Sequence, residues 1–146
     1  MRTCWIALAA IAGASACSLH VRGGAAPAPA AERGSVAQIY YWRAKPGKFD
    51  EYTRYIREHA EPIDEEGRRH DAFVSVTTYL TRDTTSAWTH MRVFVLRDST
   101  QLRELSAKLG AAGERLEPDS VKRRMAGEYS ATLRDAVGRA TVAILR

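Results

Sequence analysis

His90 and Arg92 stand two residues apart in a stretch of alternating character, "WTHMRVFVL", so on a strand their side chains share a face. An imidazole that exchanges its proton near neutral pH, set beside a guanidinium able to hold an anion, suits proton abstraction from a phenolic or enolic compound. His59 is a second candidate base, on the edge of an apolar stripe beside Tyr52 and Tyr55, where it would reach a pocket rim. Each histidine also reads as a structural side chain, and His70 and His20 fall in polar or linker sequence. The histidines form no i, i+4 pair and have no carboxylate at ligand spacing, so no metal site is expected. A Gly-rich phosphate loop and a Ser-centred elbow are missing from the sequence too, and no cofactor is expected.

Aromatic residues make up the rest of the candidate site. Tyr40, Trp42, Tyr79, Trp88 and Phe94 fall on strand-like stretches, and Tyr52 falls on a helix-like one. Together they are candidates for binding a small aromatic or apolar molecule, or for burying a partner surface, since aromatics are enriched in both settings.

The elements that must position these groups follow from periodicity. Val36 to Arg43, "VAQIYYWR", is β-branched and aromatic and predicts a strand, which "KPGK" breaks. Phe49, Tyr52, Ile56, Ala60 and Ile63 recur at helical spacing, with Pro62 expected to kink or end the helix and "DEEGRRHD" to turn the chain. "AFVSVTTYLT" and "WTHMRVFVL" alternate as the strands of a hairpin around "RDTTSA". A helix capped by Asp98 or Ser99 carries Leu102, Leu105 and Leu109 and is expected to stop at Gly110 and Gly113. A last helix, capped by Asp119 or Ser120, is expected to run to about Val137, with "ATVAILR" as a closing strand. Strand, helix, strand, strand, helix and a closing strand is the ferredoxin-like order, an α+β fold with an antiparallel sheet and helices on one face.

Of the 146 residues, 1–17 read as a bacterial export signal: Arg2 leads an apolar run, and small residues end at Cys17. Two processing routes are open there. Ala14-Ser15-Ala16 fits cleavage by ordinary signal peptidase, and the same residues before Cys17 resemble a lipobox, with Cys17 as the lipidated residue. Residues 18–34, rich in Ala, Pro and Gly, read as a flexible tether, and 35–146 as one domain. Both cysteines lie in the leader, so the mature domain has neither a disulfide nor a thiol nucleophile. The expected location is therefore the periplasm, the medium, or the outer membrane through a lipid anchor alone. With 22 Lys+Arg against 17 Asp+Glu, the charges are interleaved, and "VKRRM" reads as a solvated helix face, so no nucleic-acid partner is expected.

The segment "YYWRAKPGKFDEYTRYIREHAEPI", followed by a hairpin whose second strand begins at Trp88, resembles the dimeric α/β-barrel superfamily, which includes antibiotic-biosynthesis monooxygenase, EthD and NIPSNAP types. The resemblance spans Ser35 to Leu109 and lies in the order of elements. It implies a homodimer in which the free sheet faces of two subunits meet around a cavity. Haem-degrading members use a helix histidine, a position that only His59 could match, but their accompanying motif is missing. Taking Val74, Val76, Leu80, Met91, Val93 and Val95 as the helix side leaves Gln38, Tyr40, Trp42, Ser75, Thr77, Tyr79, Trp88, His90, Arg92 and Phe94 for the free face, with Tyr41 in the core. Three functions follow: an exported dimer that binds a small aromatic molecule, a cofactor-independent monooxygenase or isomerase, or a structural interaction protein of the cell envelope.

Overall fold

The computed structural model describes residues 36–145. The expected export signal, the expected lipidation site Cys17 and the expected tether lie outside the described residues. Strand β1 (Val36–Ala44) leads into a turn closed by the Lys48 N–H donating to the Lys45 carbonyl at 2.9 Å. Pro46 supplies the fixed φ of the first central position, and Gly47, at φ 73°, supplies the left-handed second one. The helical rod that follows has three parts: α1 (Phe49–Tyr55), a π-helical turn (Ile56–Ala60) and α2 (Glu61–Arg69).

Pro62 neither ends nor breaks this rod, contrary to expectation. The turn before it widens, with the Glu61 N–H donating to the Ile56 carbonyl five residues back, and Pro62 enters as the second residue of α2. At that position a missing N–H costs little. The rod continues through "DEEGRR" and stops where Asp71 turns left-handed at φ 58° and the Ala72 N–H donates to Gly67 O at 2.9 Å.

Strands β2 (Ser75–Leu80) and β3 (His90–Leu96) form the hairpin. In α3 (Ser99–Leu116), the Asp98 carboxylate caps the helix by accepting from the Thr100 and Gln101 N–H groups. Gly110 and Gly113 lie inside α3 and do not end it. A Cβ on Gly113 would already stand 3.7 Å from Ile63 Cδ1, so this residue marks a close approach of α2 and α3. Asp119 caps α4 (Ser120–Leu133) in the same way, and β4 (Arg134–Ala143) follows without a loop. The closing strand thus starts earlier than Ala140, and the helix stops short of Val137.

Among the described residues all pairings are antiparallel and the sheet order is β2-β3-β1-β4. The architecture is α+β, a four-stranded antiparallel sheet with three helical rods, compatible with a ferredoxin-like fold. Phe94 and Leu96 pack with Ala72, Phe73 and Leu105, joined by Val36, Tyr40, Val76, Leu102 and Leu109. Tyr52, Ile56 and Leu133 form a second cluster with Trp42 and Ala44.

These contacts reverse the expected faces of β1 and β3. Directly opposed residues share a face, and Val76 stands opposite Phe94, Leu80 opposite His90, and Tyr40 opposite Arg92. Tyr40, Trp42, His90, Arg92, Phe94 and Gln38 therefore lie under the helices, while Ile39, Tyr41, Met91, Val93 and Val95 lie on the open face. Ser75, Thr77 and Tyr79 stay on the open face as expected, with Trp88 against Tyr41 at 6.4 Å between ring centroids. In a two-residue period, a wrong choice of face moves every side chain of the strand.

Leu96 is fully buried and central to the larger cluster. Leu96→Ala should lower unfolding free energy by about 2–5 kcal/mol in urea denaturation.

Candidate functional site

The side chains brought together beneath the helices are Tyr40, Trp42, Arg92 and Phe94. Tyr40 and Trp42, two apart on β1, stack at 5.7 Å with 15° between planes, and Phe94 meets Tyr40 edge-on at 5.9 Å. With Ser106 and Leu109 of α3 and the Arg92 side chain they line a shallow, open-mouthed chamber of about 230 Å³. Three aromatic rings make its wall apolar, and one guanidinium supplies a cation. Such a mixture, mostly apolar with few polar groups, is the usual make-up of a small-molecule site.

Arg92 is 7% exposed and its guanidinium meets the carboxylate of Asp64, 6% exposed, on α2. Among the described residues Arg92 Nη2 and Asp64 Oδ2 have each other and no further partner, and Arg92 Nε has no hydrogen-bond partner. The guanidinium also lies 5.2 Å from the centroid of Phe94. Burial pulls the Arg92 pKa below its ordinary range, while Tyr52 and Glu61 act in the opposite direction. On its far side Arg92 borders a second cavity of about 490 Å³, lined by Glu61, Asp64, Glu65, Arg68 and strand residues of β2. Arg92 lines both spaces and Asp64 only the second.

Tyr52 lies beside the chamber with Trp42 in its cluster. Burial pushes its phenol up to about 12, against the pull of Arg134 and Arg92, so it is a neutral hydroxyl at physiological pH. Arg134 lies 5.0 Å from the Trp42 ring centroid and 5.7 Å from that of Tyr52, closing the β4 side with a cation over aromatic faces.

His90 shares the helix face but not the chamber. Its ring has no solvent exposure, its Nε2 lies 3.0 Å from the Thr53 hydroxyl and its Nδ1 2.8 Å from that of Thr89. Phe49 and Tyr52 flank it at 4.8 and 4.5 Å. Burial lowers its pKa to about 4, so the ring is neutral, with both nitrogens engaged. Held this way, it joins β3 to α1. His59 is exposed, lies tilted against Tyr55 at 4.7 Å between ring centroids, and borders a separate cavity of about 420 Å³ between the π turn, the end of α3, and α4. Tyr79 and Trp88 stand on the open face, away from the chamber. The three proposed catalytic side chains thus occupy three different surroundings.

Sequence reasoning missed Asp64, Ser106 and Leu109 as chamber or partner residues. Only Asp64 left a signal: a guanidinium at a core position of β3 requires an anion, and α2 is where one stands. The depressed His90 pKa also fixes a pH dependence. The unfolded chain takes up this proton below about 6.5 and the folded one does not until about 4, so stability falls as pH drops through that window. Urea denaturation at pH 4.5 and 6.5 should show a smaller loss for His90→Gln than for the parent, the difference being bounded by about 1.4 kcal/mol per pH unit.

No family model matches this chain, and no curated protein matches it.

Proposed function

We propose that this chain is an exported small-molecule-binding domain of the dimeric α/β-barrel type, taking a planar aromatic or apolar compound into the chamber beneath the helices. The observation that carries the reading is the chamber itself, with Tyr40, Trp42 and Phe94 as its wall and Arg92 at one end. Binding is favoured over turnover because His90 is enclosed between two threonine hydroxyls and His59 lies in another cavity. Neither is placed to take a proton from a compound held against Arg92.

Dimerisation is proposed through the open face. Ile39, Tyr41, Met91, Val93 and Val95 leave β1 and β3 apolar on that side, and the open face of an antiparallel sheet in a monomer is normally polar. The leader supports work outside the cytoplasm, with the domain either released or held at a membrane through Cys17 and the tether.

Binding of 2-naphthalenemethanol to the full chain, followed by calorimetry and tryptophan fluorescence, tests the chamber. Trp42→Ala should weaken it about tenfold or more, because stacking and buried area are lost together. Equal affinity in parent and variant would place the ligand elsewhere. In sedimentation, Val93→Glu should shift a dimer to monomer while Trp42→Ala leaves assembly unchanged; a monomeric parent at micromolar concentration would refute the pairing.

A further inference from the structure

Arg92 borders both cavities, Asp64 only the larger one, and their pair leaves the guanidinium incompletely satisfied. A guanidinium carries five N–H donors in a planar fork, and here Nη2 is turned to Asp64 while Nε has no partner. Nε and Nη2 share one edge of the guanidinium and both are buried, so a carboxylate arriving from the chamber gains the bidentate geometry that Arg and carboxylates prefer only as Asp64 gives up Nη2. A neutral alcohol could accept one hydrogen bond from the same fork but brings neither the second acceptor oxygen nor the charge of a carboxylate.

The other half of the pair has somewhere to go. Asp64 borders the 490 Å³ cavity on the α2 side, and Arg68 lines the same cavity. Asp64 and Arg68 are four residues apart on α2, so they stand on one face of the helix a turn from each other. Arg68 is exposed, which leaves its long side chain free to turn inward.

We propose that the Arg92–Asp64 contact is an exchangeable ion pair, and that the chamber's ligand is an aromatic compound bearing one carboxylate: this group takes Arg92 from Asp64, and Asp64 re-pairs with Arg68. The proposal rests on the chamber being the binding site and names the class of its ligand. No covalent bond changes. The ligand's anion replaces that of Asp64 at Arg92, and the Asp64 charge is met by Arg68, so no buried charge is left alone in either state.

Sodium 2-naphthoate and 2-naphthalenemethanol, matched in ring system and close in size, are the probes, titrated calorimetrically into the full chain at one salt concentration. The carboxylate should bind about 10- to 100-fold more tightly than the alcohol, the worth of a charge-assisted hydrogen bond. Asp64→Asn removes the competing anion and should raise that ratio about tenfold, whereas Arg68→Gln should lower it several-fold. The doubly neutral variant Arg92→Gln/Asp64→Asn should bring the ratio to about one. Equal affinities for both probes in the parent, or a ratio that falls in Asp64→Asn or is unmoved in Arg68→Gln, would overturn the exchange while leaving the chamber as the site. If neither probe binds, the chamber reading falls as well. Arg68 is exposed, so its variant should fold; if Asp64→Asn, which leaves the Arg92 charge buried without its partner, or the double variant fails to fold, the parent ratio and Arg68→Gln still decide.

Discussion

A guanidinium on the core side of a central strand can remain there only if an anion meets it, and the contact between Arg92 and Asp64 is therefore the constraint on which the site depends. It fixes α2 against the middle of β3. The neighbouring helix-face positions then divide by character. Phe94 and Leu96, beyond Arg92, enter the main apolar cluster, while His90, on the other side, is closed off by threonine hydroxyls. Tyr40, directly opposite Arg92 on β1, and Trp42 beside it pack against the two apolar clusters and also border the chamber, with Ser106 and Leu109 of α3 across it. Removing one member of the pair would strand a buried charge, which explains why a group of such high desolvation cost stands where an aliphatic residue would pack more simply.

The π-helical turn is what brings Asp64 to that position. In an uninterrupted α-helix, twelve residues would rotate Asp64 about 120° away from Tyr52, to the side of the rod. One extra residue per turn over Ile56–Ala60 takes back most of that angle, so that Tyr52, Ile56, Asp64 and Gly67 are all buried along one line. Pro62 sits directly after the widened turn. The same local sequence that disrupts the regular ladder thus sets the phase of the helix that carries the anion.

The order of elements was legible because its signals are local: the Pro-Gly turn, the caps Asp98 and Asp119, and period-two alternation in the hairpin. The face was not. Met91, Val93 and Val95 are more apolar than His90, Arg92 and Phe94, and hydrophobicity taken alone assigns them to the core. The core side is instead held by polar groups whose partners are remote in sequence: His90 with Thr53, Arg92 with Asp64, and Gln38 accepting from the Thr141 hydroxyl at 2.7 Å. No period in one strand reveals such partners. Tyr40, Trp42, Arg92 and Phe94 were correctly grouped with one another on the basis of strand parity. Tyr79 and Trp88 were grouped with them wrongly, because Tyr79 stands opposite Met91 across the hairpin. Asp64 was hidden by the same π turn that positions it, since a 3.6-residue period places it off the apolar stripe.

The most direct test of the central claim is a crystal structure of the full chain grown with 2-naphthoate. The account predicts the naphthalene ring against Tyr40, Trp42 and Phe94, its carboxylate on the Arg92 guanidinium, and the Asp64 side chain turned toward Arg68. A ring bound beside His59 or on the open sheet face, with the Arg92–Asp64 contact unchanged, would contradict it.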